Sequence, residues 1–224
     1  MMQYDDDIYT ETEGGGPDTL ANLGPLRPMA GVWRSVAGDN IHPVGPGSDD
    51  VSEAEISAGT KQQTYIEHYE LQPTDPQNNG PQLFYGLRYH IHIVKPGEVE
   101  TFHDQVGYWL WEPAARQVTH MLAIPRAQVA MASGPAEPDA TTFEVTATDG
   151  HEHYGILSNP FIDRAFKTLS FVIRVTANPD GTWSYYEDTV MQLPDRAEPF
   201  HHIDQNTLEL IEPPTPNPLA LQGS

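Results

Sequence analysis

Residues 169–193 read LSFVIRVTANPDGTWSYYEDTVMQL. Two runs rich in β-branched and aromatic residues flank Asn178-Pro179-Asp180-Gly181, the clearest hairpin signal in the chain. The same texture extends outward on both sides. In QLFYGLRYHIHIV (82–94), Leu87, Tyr89, Ile91 and Ile93 take one face of a strand, and Arg88, His90 and His92 take the other. TFHDQVGYWLWEP (101–113) and RQVTHMLAIP (116–125) read as a hairpin turning at EPAAR. QQTYIEHYELQ (62–72), QVAMAS (128–133), TTFEVTAT (141–148) and residues 200–211 supply further strands, and GVWRS (31–35) supplies the first. Residues 35–60, rich in Gly, Pro, Ser and Asp, read as a loop, and a helical turn is expected before Gly31.

Nine or ten short consecutive strands with little helix indicate an all-β chain, either a barrel or a sandwich. Neighbouring hairpins favour a single ten-stranded antiparallel up-and-down β-barrel of the lipocalin or fatty-acid-binding-protein type. A closed barrel of that size is wider than its own side chains fill, so it is expected to hold a ligand. The expected boundaries are a disordered acidic segment at 1–18, the barrel at 19–211 and a flexible C-terminal tail at 212–224.

Composition narrows the function. With 11 Lys and Arg against 32 Asp and Glu, the formal net charge is -21, which repels nucleic acid and anionic membrane surfaces. The absence of cysteine excludes disulfides, thiolate catalysis, cysteine-ligated zinc and iron–sulfur clusters. MMQYDDDIYTETEGGG at the start has neither the basic region nor the apolar core of a signal peptide. No apolar run approaches the ~20 residues of a membrane helix, so a cytoplasmic location is the expectation.

Histidines supply most of the candidate chemistry. Trp33, at the start of the first strand, is expected to plug one end of the barrel, and His42 to sit in a surface loop. His90 and His92 share a strand face and can reach one metal ion, with Glu98 downstream; the competing reading is the polar outer face of a strand. His103, just beyond a turn, fits a barrel rim. In PFHHID, adjacent residues His201 and His202 point to opposite faces. An unbroken strand puts Phe200, His202, Leu208 and Leu210 on one face and His201, Ile203, Glu209 and Ile211 on the other, so His202 is the better inward candidate. A neutral imidazole in an apolar barrel is a suitable axial ligand for haem iron. No nucleophile elbow, phosphate loop, HExxH or dinucleotide fingerprint is present.

Several fragments, in order, resemble the nitrobindin family of haem-binding β-barrels, also described as fatty-acid-binding-protein-like. PLRPMAGVWRS and AGDNIHP resemble its opening, HDQVGYW (103–109) its middle motif with Gln105 in place of Glu, and VTHMLAIPRAQVAMASG and AFKTLSFVIRV…GTWSYYEDTVMQ later segments. PFHHID falls at the closing segment whose histidine ligates ferric iron, which lands on His202, or on His201 one register away. The resemblance covers about 23–211, with only Gly38 kept from the family's glycine-rich loop and extra residues around 45–60, 72–82 and 149–163. It implies a ferric haem b cofactor, nitric oxide binding and isomerisation of peroxynitrite to nitrate. His202 is then the metal ligand, with His201 and His103 in the cofactor pocket. A haem-free barrel carrying a fatty acid or other small apolar ligand is the alternative, and a non-haem metal site on His90 and His92 the third. The expected partners are a small-molecule ligand and, for assembly, a homodimer, with no nucleic acid and no membrane.

Overall fold

The computed structural model describes residues 16, 18–44, 51–194 and 196–216. Most of the segment 1–18 expected to be disordered, residues 45–50 of the stretch read as a loop, and most of the expected tail 212–224 lie outside them.

Twelve strands follow in chain order: β1 (Gly31–Pro43), β2 (Thr60–Pro73), β3 (Gln77–Asn79), β4 (Gln82–Val94), β5 (Thr101–Glu112), β6 (Gln117–Ile124), β7 (Gln128–Pro135), β8 (Thr142–Thr148), β9 (Ile156–Ser158), β10 (Lys167–Ala177), β11 (Trp183–Gln192) and β12 (Phe200–Glu212). Three short helices accompany them: α1 (Thr19–Asn22), α2 (Glu53–Ala58) and α3 (Pro160–Ala165), with a 3-10 segment at Gly24–Met29. Each main strand pairs antiparallel with its successor. β12 pairs with β1, closing the sheet into a ten-strand up-and-down barrel, while β3 and β9 are short additions on β4 and β7.

Local chemistry explains the elements. At the 178–181 turn, the Asn178 amide N–H donates to Thr182 O (2.9 Å), the Asp180 carboxylate accepts from Thr182, and Gly181 supplies the positive φ of 88°. α2 carries a capping box in which the Ser52 and Glu55 side chains each bond the other's backbone N–H. Two expectations are corrected here. The stretch 35–60 is not all loop: β1 runs on to Pro43, because β2 and β12 offer it hydrogen-bonding edges on both sides, and α2 forms beyond it. His42 therefore lies on a strand, not in a surface loop.

The core sits at one end of the barrel. Leu23, Leu26 and Met29, from the helical segment before β1, lie against that end with almost no exposure. Trp33 donates its indole N–H to Met29 O at 2.7 Å and meets Trp183 edge to face, so it closes this end as its position suggested. Trp109, Trp111, Leu71, Leu87, Val118 and Leu208 complete the fill. Leu210 keeps the parity of Leu208 but is not buried. Trp33 and Leu208 already fill the end, and Leu210 turns to an outer cleft with 51% of its surface exposed.

A histidine belongs to this core. His120 faces inward from β6 between Val118 and Leu122, stacks flat on Trp109 at 3.8 Å and accepts a hydrogen bond from the Tyr89 hydroxyl at 2.8 Å. Burial lowers its pKa to about 3, so the ring is neutral.

Two predictions follow from this packing. A Cβ at Gly134 would drive into the backbone carbonyl of Glu144 on β8, a contact that no side-chain rotation relieves. Gly134→Ala is expected to destabilise the barrel by about 1–3 kcal/mol, read as a lower urea midpoint at unchanged slope. The second concerns acid. His120 has a lower pKa in the folded protein than in the unfolded chain, so stability is full above about pH 6.5 and falls as pH drops towards about 3. A His120→Phe variant should lose less stability than wild type over that window; parallel pH profiles would contradict the buried neutral ring.

Candidate functional site

Inward-facing residues at the opposite end of the barrel keep solvent-accessible surface. His42, His103, Thr189, His202 and Asp204 are all half-buried, whereas their counterparts at the plugged end are sealed. Two unlike walls meet there. β4, β6, β7, β8 and β10 contribute Ile91, Ile93, Leu122, Ala130, Ala147 and Phe171. β1, β2, β11 and β12 contribute Asn40, Glu67, Glu187, His202, Asp204 and Asn206, almost all polar.

β12 shows how alternation sorts the histidine pair. His202 falls on the side of Phe200, Asn206 and Leu208, all buried. His201 points outward, where its Nδ1 meets the Asp188 carboxylate at 2.8 Å. His202 Nε2 lies 2.6 Å from the Asn40 amide nitrogen, which also donates to Asp204 Oδ1 at 2.6 Å. Asn40 Oδ1 faces His42 Nδ1 at 2.6 Å. With the amide donating, the His202 Nε2 lone pair is taken by Asn40, and Asp204 Oδ2 lies 3.4 Å from the same nitrogen. Burial and the neighbouring His202 lower the pKa of His42, which favours a neutral ring there too.

His103 faces inward from β5. Its Nε2 lies 3.3 Å from Gln105 Oε1 on its own strand, so its bond runs down the strand and not across the mouth. Gln105 Nε2 donates to the Tyr89 hydroxyl at 2.7 Å, and Tyr89 donates to His120, which orders the chain His103–Gln105–Tyr89–His120 from the accessible end to the core. Burial lowers the pKa of His103, although Gln105 and Asp204 oppose the shift. Glu187 is pushed well above the usual carboxylate range by desolvation and then by Asp204 and Glu67.

His90 and His92 lie on the outer face. His90 Nε2 meets Asp104 Oδ2 at 3.0 Å and His92 Nε2 meets Thr101 Oγ1 at 3.1 Å, so each ring has a different partner. Among the described residues no group of three or more His, Asp or Glu side chains is arranged to hold a metal ion. The donor set at the accessible end instead suits a planar macrocycle bound through a single axial nitrogen. His202 offers one inward imidazole in an interior that also carries an extended apolar wall. Asn40 must turn from His202 Nε2 for a metal to take that lone pair.

Sequence reading missed Asn40, Asp204, Glu67 and His120 as members of the interior. Parity could have found His120 between Val118 and Leu122, and Glu67 between Tyr65 and Tyr69. Asn40 was hidden in a stretch that reads as a loop.

Comparison with known proteins bears on the fold and the family. No curated protein matches the chain. The crystal structure of Rv2717c from M. tuberculosis superposes with a TM-score of 0.55 at 16% identity, covering 85% of this chain and 98% of that one, a likeness of fold. The profile of the THAP4-like, heme-binding beta-barrel domain matches residues 22–209, most of the chain and all ten strands of the closed barrel. The chain belongs to the THAP4-like heme-binding β-barrel domain family.

Proposed function

We propose that the barrel holds ferric haem b through His202 and binds nitric oxide at the iron, with isomerisation of peroxynitrite to nitrate as its activity. The observation that carries the reading is the inward imidazole of His202, whose Nε2 is held by the Asn40 amide and opens to iron once Asn40 turns away, in a barrel whose other wall carries Ile91, Ile93, Leu122 and Phe171. Bound haem would supply a Lewis-acidic iron that takes a small nitrogen oxide. The chain's own work is binding and orientation. Asn40 and Asp204 hold His202 Nε2 until haem enters and would then release it to the iron, and the apolar wall excludes water from one side. His103 sits at the rim, its ring held by Gln105 and kept uncharged by burial. His201, paired to Asp188 outside the wall, stays clear of the cofactor. A cytoplasmic location and a homodimer complete the reading.

The second reading is a haem-free carrier, which shares the apolar wall. A fatty acid fits less well. The fully buried interior contains the carboxyl of Glu67 and, among the described residues, no fully buried lysine or arginine. A buried carboxylate headgroup would meet like charge and no cation.

Absorption spectroscopy separates the readings. Haem-reconstituted protein is expected to show a Soret band near ~400 nm that shifts on addition of nitric oxide. His202→Ala should weaken haem binding by more than about 10-fold, while His201→Ala should leave it within about 2-fold. Nitrate formed from peroxynitrite should rise on haem loading and fall back in His202→Ala. Spectral silence in wild type, with lipid recovered by solvent extraction, would give the function to the carrier.

A further inference from the structure

β1 leaves the regular ladder twice along β12, at Val32–Trp33 and again between Arg34 and Asp39, and the second break is shared with β2. Arg34 to Asp39 runs opposite Glu209 to Gln205 on β12, and Ser35 to Gly38 runs opposite Glu67 to Tyr65 on β2, so β1 carries one residue more than either neighbour. A bulge of this kind bends a strand and interrupts its pairing. The barrel wall opens here into a cleft of about 1000 Å³. Its lining mixes the two faces of the sheet: Arg34, Asp39 and Gln205 belong to the outside, Ser35, Tyr185 and Asn206 to the inside.

Bonded to the lining residues Tyr185 and Asn206 is Glu67, fully buried. The Tyr185 hydroxyl and the Asn206 amide, both in the cleft lining, donate to its Oε2 at 2.8 and 2.6 Å, and the Tyr65 hydroxyl backs Tyr185 at 2.8 Å. Its Oε1 makes no hydrogen bond, and neither does Ser35 Oγ, although both atoms are buried. These two residues are direct register partners across β1 and β2, which places their Cβ atoms roughly 5 Å apart. Unmet buried polar atoms on two directly paired residues, one of which lines the cleft, are a usual setting of a bridging water-sized molecule. Burial raises the pKa of Glu67 to about 7, so both protonation states of Oε1 are accessible near neutrality. The charged or titratable groups that act on it are Tyr65, Tyr69, Tyr185, Glu187 and Asp204, all on β2, β11 and β12.

We propose that the cleft at the β1 bulge is a side entrance to the barrel, seating one small protic molecule between Ser35 Oγ and Glu67 Oε1, and that protons reach Glu67 by this route. Towards His202 the way is roofed by Tyr65, Tyr185 and Asn206, all buried. The exchange is a proton shuttle without net chemistry. Protonated Glu67 passes its Oε1 proton to the seated molecule, which passes one of its own outward along the cleft, and the reverse path restores it. This route is independent of whether haem occupies the other end.

Infrared spectroscopy on the full chain tests it. At about pH 6, Glu67 is expected to show the isolated C=O stretch of a buried protonated carboxyl, identified by its loss in Glu67→Gln and its persistence in Glu187→Gln. On transfer to D₂O that band should shift rapidly in wild type. Ser35→Val removes the hydroxyl, and Ala37→Trp covers the cleft from an exposed rim position, so it does not depend on repacking the interior. Both should slow the shift by at least about tenfold, whereas His103→Trp, which crowds the other end, should not. Unchanged exchange in both cleft variants, equal slowing by His103→Trp, or no Glu67-dependent band between about pH 5 and 7 would each overturn the proposal.

Discussion

The pairing of β12 with β1 is the constraint on which the remaining structure depends. Once these strands join, the sheet has no edge, and every residue on the main strands faces either a wall of neighbours or solvent. Closure sends His202, Asn40 and Asp204 inward together from two strands that are far apart in the chain. It also brings Glu67 and Tyr185 into hydrogen-bonding reach across the interior. No local sequence signal could assemble that group, because its members meet only through the ring.

The interior is divided, and the division has a physical logic. At the plugged end, three tryptophans and a set of leucines reach complete burial, with indole N–H groups of Trp33 and Trp109 satisfied by Met29 O and the Tyr69 hydroxyl. Towards the accessible end, polar groups face inward, and most are paired: Asn40 with His202 and Asp204, Gln105 with Tyr89, and Glu67 with Tyr185 and Asn206. Buried polar groups are tolerated when their bonds are made, and such networks specify one arrangement of side chains more sharply than apolar packing does. The His202 ring is held by this network through Nε2, so a ligand that takes that nitrogen must first displace Asn40.

Much of the fold could be read before any coordinates. The Asn178–Gly181 turn, the alternation in 82–94 and the turn at 112–116 located three hairpin elements, and the strand count led to a barrel. The reading failed where composition and tertiary context disagree. AGDNIHP carries loop-forming residues, yet it is strand because both neighbours supply bonds, and that error removed Asn40 and His42 from the candidates. Leu210 obeys the alternation that places Leu208 inside but lies past the filled end, so parity alone misplaced it. Parity was more informative for the adjacent histidines, since one step along a strand changes the face. What Glu67 and His120 do was not readable, because inward polar residues acquire meaning only from the groups opposite them.

Ring closure by the first and last main strands also bears on how the molecule is made. β1 spans Gly31–Pro43 and its partner β12 begins at Phe200, so the seam waits until nearly the whole domain has left the ribosome. At roughly 5–20 residues per second, that interval is on the order of ten seconds or more, during which β1 and then β11 present unpaired edges. The chain's formal charge of -21 is then an asset during synthesis, keeping nascent copies apart while those edges are bare.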